Sequence, residues 1–297
     1  MEPSPFLPGG TLKLRDKDGC DRTFTIVKGF ETFTRGQAIA VRSGTHPQHS
    51  LLVKIFDPRY FHERFDRRYS NYVERHWTLE AEASAVVDPE PLPHGTGYLV
   101  PQELEKDEPP ADEPEAVAHR AARWEKHLQA RIRSVFDNEL AAYERLQALW
   151  GTAVPNLIIY GKYLPSEPRH IQPPALVLEY IDGITLSRVA AARITPPLVA
   201  QLAHIVRQLH AYGVLHNDLH LDNAMVDLSV SPPRPVVIDF GQAILRAADE
   251  TAETWNSRMQ RIREWPDGVT ALLAQKHIPW QAEFDVPFYT LYHQPPA

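Results

Sequence analysis

Two short segments limit what this chain can fold into. His216-Asn217-Asp218-Leu219-His220-Leu221-Asp222-Asn223 sets an Asp and an Asn five residues apart in a polar loop. Val237-Ile238-Asp239-Phe240-Gly241 sets a second Asp at the end of an apolar strand, just before a Gly. On adjacent strand ends, the oxygens of Asp218, Asn223 and Asp239 can hold a hard cation and a hydroxyl together. Phosphoryl transfer asks for this, because its chemistry is mostly positioning and charge neutralisation. Between the segments, Ala224-Met225-Val226 and Pro235-Val236-Val237-Ile238 flank a Pro-rich turn and read as a hairpin under the loop.

Composition narrows the setting. The 297 residues are 43% hydrophobic, enough for one large domain or two lobes. The net charge of −7, without a long basic run, argues against a nucleic-acid surface. The single cysteine, Cys20, sits in the polar turn Asp16–Asp21 and reads as incidental; no intrachain disulfide is possible, which fits a reducing compartment. Met1-Glu2-Pro3-Ser4-Pro5 lacks a signal-peptide layout, and no apolar run reaches bilayer length. The expectation is a soluble cytoplasmic or nuclear protein with no membrane contact.

Taken in order, residues 1–10 read as a loose arm, and Thr23–Val27, Gln37–Arg42 and Leu51–Phe56 as strands, the last interrupted by Lys54. A lone strand lysine can equally keep its head in water. Tyr60 to about Val87 reads as helical. Residues 88–114 are Pro-rich, and seven acidic residues with one Lys between Glu103 and Glu115 predict a mobile loop. Glu115–Trp150 is the longest helical pattern. Its stripe Ile132, Phe136, Glu139, Tyr143, Leu146, Trp150 keeps one face, with a carboxylate in the middle. A buried carboxylate needs a partner, and Lys54 needs one too. Leu157–Tyr160 and Ala175–Ile181 read as strands, Thr185–Ala192 as a short helix, and Pro196–Tyr212 as a helix stopped by Gly213. Two helices, about Asp249–Glu264 and Asp267–His277, complete the pattern.

This order resembles the protein-kinase-like fold over roughly residues 23–245. The resemblance implies an α+β, two-lobed architecture: an N-terminal ATP-binding lobe, 1–181, built on an antiparallel sheet with a long insert at about 57–130, and an abbreviated helical catalytic lobe, 182–297. It implies that Lys54 binds the α- and β-phosphates with Glu139 as its helix partner. Leu178-Glu179-Tyr180-Ile181 looks like the gatekeeper and hinge that meet the adenine edge, with Ile39 also against the nucleotide. His216-Asn217-Asp218 matches the His-Arg-Asp motif, so Asp218 would orient or deprotonate the hydroxyl acceptor, while Asn223 and Asp239 would hold Mg2+. ATP and Mg2+ are the implied cofactors.

The sequence departs from that pattern in three places. Gly29 and Gly36 are the only glycines where a Gly-rich phosphate loop belongs. Asn217 replaces the arginine of His-Arg-Asp, and no Ala-Pro-Glu follows Asp239-Phe240-Gly241, which argues against activation-loop phosphorylation. His220 stands where Ser/Thr kinases carry Lys; it is either a loop brace or a phosphate or substrate contact, and His-x-Asp-x-His-x-x-Asn is similar to the aminoglycoside and choline kinases. The insert, with its basic series Arg120, Arg123, Lys126, Arg131 and Arg133, reads as a lid or a protein-partner surface and resembles elaborations of fungal-type kinase-like proteins. Three functions compete: a phosphotransferase acting on a hydroxyl, first on a protein; a small-molecule kinase; and a nucleotide-binding scaffold without catalysis.

Overall fold

The computed structural model describes residues 6–31, 33–44, 46–65, 75–88, 90, 104, 108–262 and 267–278. The chain divides into two compact units: Met1–Asp137 with Ile158–Leu178, and Asn138–Leu157 with Glu179–Ala297.

The first unit is built on strands β1 (Thr11–Asp16), β2 (Asp21–Phe30), β3 (Gln37–Ser43), β4 (His46–Ile55), β5 (Leu157–Tyr163) and β6 (Pro174–Glu179). They form a closed barrel in the order β1-β2-β3-β4-β6-β5 rather than an open sheet. β1 was not expected from the sequence, and it closes the ring by pairing Leu14 with Tyr163 and Asp16 with Gly161. Gly161 permits this closure, because a Cβ there would lie 2.0 Å from the Arg15 carbonyl oxygen. Leu12, Leu14, Phe24, Ile26, Ile39, Val41, Val53, Ile55, Ala175 and Val177 fill the interior. Their alternation along each strand is the period-two signature of a one-faced sheet. Phe6 is buried in the same core, and backbone bonds between Gly9 and Ile26 and between Ile26 and Gly10 hold its segment. The described end of the N-terminal segment is therefore packed rather than loose; residues 1–5 lie outside the described residues.

The insert differs from expectation. In place of one helix from Tyr60 to Val87 there are two 3-10 turns, Pro58–Tyr60 and His62–Phe65, and one helix, α1 (Leu79–Val87). Asp57 caps the first turn by accepting from Arg59 N–H, and Thr78 caps α1 by accepting from Ala81 N–H. Of the acidic stretch, residues 103 and 105–107 lie outside the described residues, while Glu108 pairs with Arg75 at 2.6 Å and with Arg120 at 3.2 Å. The long helix α2 runs Pro114–Arg145, and its residues to Asp137 belong to this unit. Its basic series is not an open partner surface. Arg123 and Lys126 both bind Asp88, at 3.0 and 3.2 Å, Arg131 binds Glu63 at 2.6 Å, and only Arg133 of those with described pairs stands largely in solvent, with Asp137. A buried pair, Arg64 with Glu125 at 2.5 Å, ties the second 3-10 turn to α2.

A second buried network joins the insert to the barrel. Arg169, in the β5–β6 connection, bonds Asp57 at 2.9 Å and Glu82 of α1 at 2.6 Å, with all three side chains at 2% exposure or less. Burial alone would raise Asp57; the charges of Arg169 and Arg59 more than offset this and lower it.

In the second unit, a 3-10 turn at Gln147–Leu149 follows α2. A three-stranded sheet has the order β10 (Arg234–Val237), β9 (Ala224–Asp227), β7 (Gly183–Thr185). β7 replaces the start of the helix expected at Thr185–Ala192. The β-branched Ile184 and Thr185 pair with Val226 and Met225, and Leu186 N–H bonds the Ala224 carbonyl, drawing the backbone into the sheet. Helix α3 (Pro196–Ala211) begins on two prolines and buries Val199, Leu202, Ile205, Val206 and Leu209. β8 (Val214–Leu215) pairs with β11 (Ile244–Leu245), and α4 (Ala252–Ile262) and α5 (Asp267–Gln275) follow. No helix among the described residues is long and apolar enough to cross a membrane.

Candidate active site

In the first unit, strand register decides which side chains share a face with Lys54. Lys54 pairs with Ala38 and Leu52 with Ala40, while Ile39 pairs with Val53. Ile39, expected against a nucleotide, is fully buried in the barrel core. Because side chains alternate, Ala38 and Ala40 share the face of Lys54, and Ile39 points to the opposite one. Lys54 is buried, at 7% exposure, which removes the surface-lysine alternative. Its ammonium lies 5.5 Å from the Phe56 ring centroid, and Phe56 packs edge-on against Phe136 of α2 at 5.4 Å. Gly36 lies under the Lys54 stem: a Cβ there would meet Lys54 Cε at 2.8 Å.

The glycine-poor connection between β2 and β3 is held by aromatic packing. Phe33 meets Tyr60 at 5.7 Å and Phe6 at 6.1 Å, both edge-on, and His62 N–H bonds the Thr34 carbonyl. Leu178, the expected gatekeeper, is buried at 2% exposure at the end of this unit.

The second unit assembles the loop residues. His216 is fully buried. Its Nδ1 accepts from Asp218 N–H at 3.3 Å and its Nε2 meets the Ile238 carbonyl at 2.9 Å. A carbonyl only accepts, so Nε2 carries the proton and Nδ1 the lone pair. One imidazole thus fixes the backbone of Asp218 to the strand leading into Asp239. Asn223 Nδ2 donates to the Asp218 carbonyl at 2.9 Å, and Ile238 N–H donates to the Asn223 carbonyl at 3.0 Å. This bond uses the amide nitrogen of Asn223 and not its Oδ1.

Asn217 and Asp239 both adopt left-handed backbone, φ +59° and +65°, which non-glycine residues rarely take. Asn217 Nδ2 bonds the Gln242 carbonyl at 3.2 Å, so the residue that replaces arginine braces the turn after Asp239-Phe240-Gly241. The chain enters β11 directly from that turn. His220 Nδ1 accepts from Asp222 N–H at 3.2 Å, the geometry of a loop brace.

Beneath the loop, Phe240 meets the His216 ring at 5.0 Å and Tyr143 at 5.3 Å. Glu139, one turn earlier on α2, is fully buried, as the stripe predicted, and so are Tyr143 and Leu146. In the hinge segment, Glu179 N–H bonds the Asn156 carbonyl at 2.9 Å, and its carboxylate accepts from Asn156 N–H and Nδ2 at 3.0 and 2.6 Å. The Glu179 backbone N–H is therefore committed within the protein. Tyr180 is half-buried and Ile181 is buried.

Asn223 Oδ1 and the Asp239 carboxylate are hard oxygen donors. Two such ligands suit Mg2+, which keeps waters and substrate phosphate oxygens in its remaining positions. No cluster of three metal-ligating side chains occurs among the described residues. Sequence reading passed over Ala38 and Ala40, which share the face of Lys54 through their register opposite Lys54 and Leu52, and the brace at Asn217, whose signal was a polar residue able to take left-handed backbone.

A loop of this kind beside a strand-end Asp, with a lysine-bearing barrel, defines a kinase-type chain. A family model described as the lipopolysaccharide kinase (Kdo/WaaP) family matches residues 120–267, the span that holds Glu139, His216, Asp218, Asn223 and Asp239. The chain belongs to the protein-kinase-like superfamily. Among solved structures it is similar to the Rio2 kinase of Chaetomium thermophilum, in a complex with ADP/Mg2+ and phosphoaspartate, at 14% identity over 86% of this chain and 58% of that one, TM-score 0.43. It is similar also to the PknI kinase domain of Mycobacterium tuberculosis, at 15% identity over 73% and 59%, TM-score 0.37. The chain thus spans 58% and 59% of the two solved chains. Likenesses at these scores carry no weight beside the family match. No curated protein matches the sequence.

Proposed function

We propose that this chain is an ATP- and Mg2+-dependent phosphotransferase that moves the γ-phosphate to a hydroxyl. The observation that carries this reading is the bonding around Asp218, in which His216 and Asn223 hold its backbone and Ile238 ties Asn223 to the strand of Asp239. A general base must be held within hydrogen-bond reach of the acceptor proton, and such a loop supplies that rigidity. In this reading the two units are the nucleotide lobe and the catalytic lobe. Lys54 takes the phosphates; Ala38 and Ala40, small and on the same face, leave room for a flat base; the segment Leu178 to Ile181 meets its edge. Glu139 is the acid that supports Lys54. Asn223 and Asp239 hold Mg2+, which would neutralise phosphate charge when bound. Asp218 orients the acceptor hydroxyl and receives its proton.

The sequence put a protein hydroxyl first. A small-molecule or sugar hydroxyl is the second reading, and the short path from Gly241 into β11 favours it, because that path leaves no extended activation segment to seat a peptide. The name of the matching family, lipopolysaccharide kinase, points the same way. The test is transfer from γ-labelled ATP to panels of proteins and of soluble hydroxyl compounds, by wild type and Asp218→Asn. Loss of transfer in the variant supports the reading, and equal transfer by both ends the assignment of Asp218. The panel that is labelled decides between acceptors.

A further inference from the structure

Tyr143 lies one helical turn beyond Glu139 on α2, and its side chain is fully buried. Its ring packs edge-on against Phe240 at 5.3 Å and 77°, which sets it beside the residue that follows Asp239. Its hydroxyl has no hydrogen-bond partner among the described residues. A phenylalanine would make the same ring contact without burying a lone polar atom, which is unfavourable by about as much as a whole hydrogen bond. Burial, and then the negative charges of Glu139 and Asp239, hold the phenol well above its usual range. The group therefore keeps its proton and is available as a donor. Asp239 is held at φ +65°, and its Oδ1 receives a long, 3.4 Å bond from Gly241 N–H.

We propose that the Tyr143 hydroxyl is a positioning donor for Asp239, bonding that carboxylate when it turns to hold Mg2+ with a nucleotide. The inference rests on the reading of Asp239 as a Mg2+ ligand. The bond occupies one carboxylate lone pair and fixes the side chain, as hydrogen bonds to ligating carboxylates do elsewhere. Glu139, one turn back on the same helix, is the other carboxylate whose charge the phenol feels; in the reading above it serves Lys54.

Tyr143→Phe keeps the ring and removes the oxygen. Melting of wild type and variant is followed without ligand, with ADP and EDTA, and with ADP during a Mg2+ titration. The variant is expected to melt at or above the wild-type temperature without ligand and to show the same ADP–EDTA shift. It is expected to need about tenfold more Mg2+ for half of the Mg2+-dependent shift, the loss of one hydrogen bond to a charged group. A variant that melts lower without ligand would assign the hydroxyl to the resting fold and overturn the proposal. So would an unchanged Mg2+ midpoint, with the Mg2+ reading of Asp239 left intact. A wild type with no Mg2+-dependent shift would overturn both.

Discussion

Gly161 of β5 faces Arg15 of β1 so closely that any side chain carbon at position 161 would lie 2.0 Å from the Arg15 carbonyl oxygen. The closure of the barrel depends on that absence. Gly161→Ala must push the two backbones apart, and overpacking of this kind is unfavourable by about 1–3 kcal/mol or more. The lower half of that range is excluded here because the clash is with backbone, which has no rotamer to escape into. Urea denaturation should show a loss of about 2–4 kcal/mol. Gly44→Ala, where a Cβ meets nothing within 4 Å, is the control and should stay within about 0.5 kcal/mol of wild type.

Gly36→Ala tests the other close approach. The new methyl meets Lys54 Cε at 2.8 Å and Cγ at 3.0 Å, and a side chain can yield where a backbone cannot. The fold should therefore lose less than about 1 kcal/mol while the ammonium is displaced. Nucleotide affinity, measured by calorimetry, should fall about tenfold, the scale of one misplaced charge-assisted bond. A stability loss as large as that of Gly161→Ala would show that Lys54 does not yield.

Much of the packing around the candidate site follows from the sequence, and the reasons differ from residue to residue. The stripe from Ile132 to Leu146 is read directly from helical periodicity, and its odd member, Glu139, is as buried as its neighbours. The loop from His216 to Asn223 stands out because the proposed phosphoryl transfer would need those residue types at that spacing. Ile39 was grouped with Lys54 because alternation shows that a strand has two faces without saying which residues of neighbouring strands share one; the pairing of Lys54 with Ala38 puts Ile39 on the opposite face. β1 was overlooked because Lys13 and Arg15 mask Leu12 and Leu14, although the strict alternation of its buried positions was present in the sequence. The insert was the least legible. Nothing local marks Arg64, Arg123 and Arg131 for burial, and they are buried because carboxylates distant in sequence meet them. Charge pairing across 61 or 68 residues leaves no local pattern.

The Arg169 network makes a stability prediction. Arg169→Leu leaves Glu82 and Asp57 buried beside an apolar side chain, with Asp57 keeping Arg59 at 2.8 Å. Breaking a buried pair from one side typically costs about 3–5 kcal/mol. Arg169→Lys restores the charge without the fork that reaches both carboxylates, so its loss should fall between wild type and Arg169→Leu. Denaturant midpoints of the three proteins decide the order. Equal stability of Arg169→Leu and wild type would mean that the network contributes nothing net.

Acid should unfold the protein in two stages. Burial, partly opposed by the Glu63 charge and aided by Arg131, pushes the His127 imidazole down to about 4. An unfolded histidine titrates near 6.5, so as pH falls from about 6.5 to about 4 the unfolded chain binds a proton that the folded chain refuses, and stability declines. Asp88 adds a second decline of the same sign at lower pH. Burial would raise it, but bonds from Glu90 N–H, Arg123 and Lys126 prevail and hold it at about 2. Its contribution is present above the unfolded value, about 3.9, and is lost as pH falls from there towards 2. Melting temperature against pH should show both declines. His127→Gln should flatten the upper one and leave the lower one in place.

Asp218 and Asp239 should fail in different ways, and the difference follows from what each side chain is asked to do. If Asp218 only orients the acceptor and receives its proton, Asp218→Asn keeps the loop bonds, which involve its backbone N–H and carbonyl rather than its carboxylate. The variant should then retain the Mg2+-dependent melting shift with nucleotide while phosphoryl transfer falls by about 10²–10⁴, the range of a lost general base. Asp239→Asn removes a charged oxygen ligand. It should weaken or abolish the Mg2+-dependent part of the shift and leave the shift with nucleotide and EDTA unchanged. Neither substitution alters backbone φ, and Asn tolerates the left-handed conformation of residue 239 as well as Asp does, so a general loss of stability is not expected from either. Loss of the Mg2+-dependent shift in Asp218→Asn, with its retention in Asp239→Asn, would reverse the two roles and require the cation to be placed on the loop instead of at the strand end.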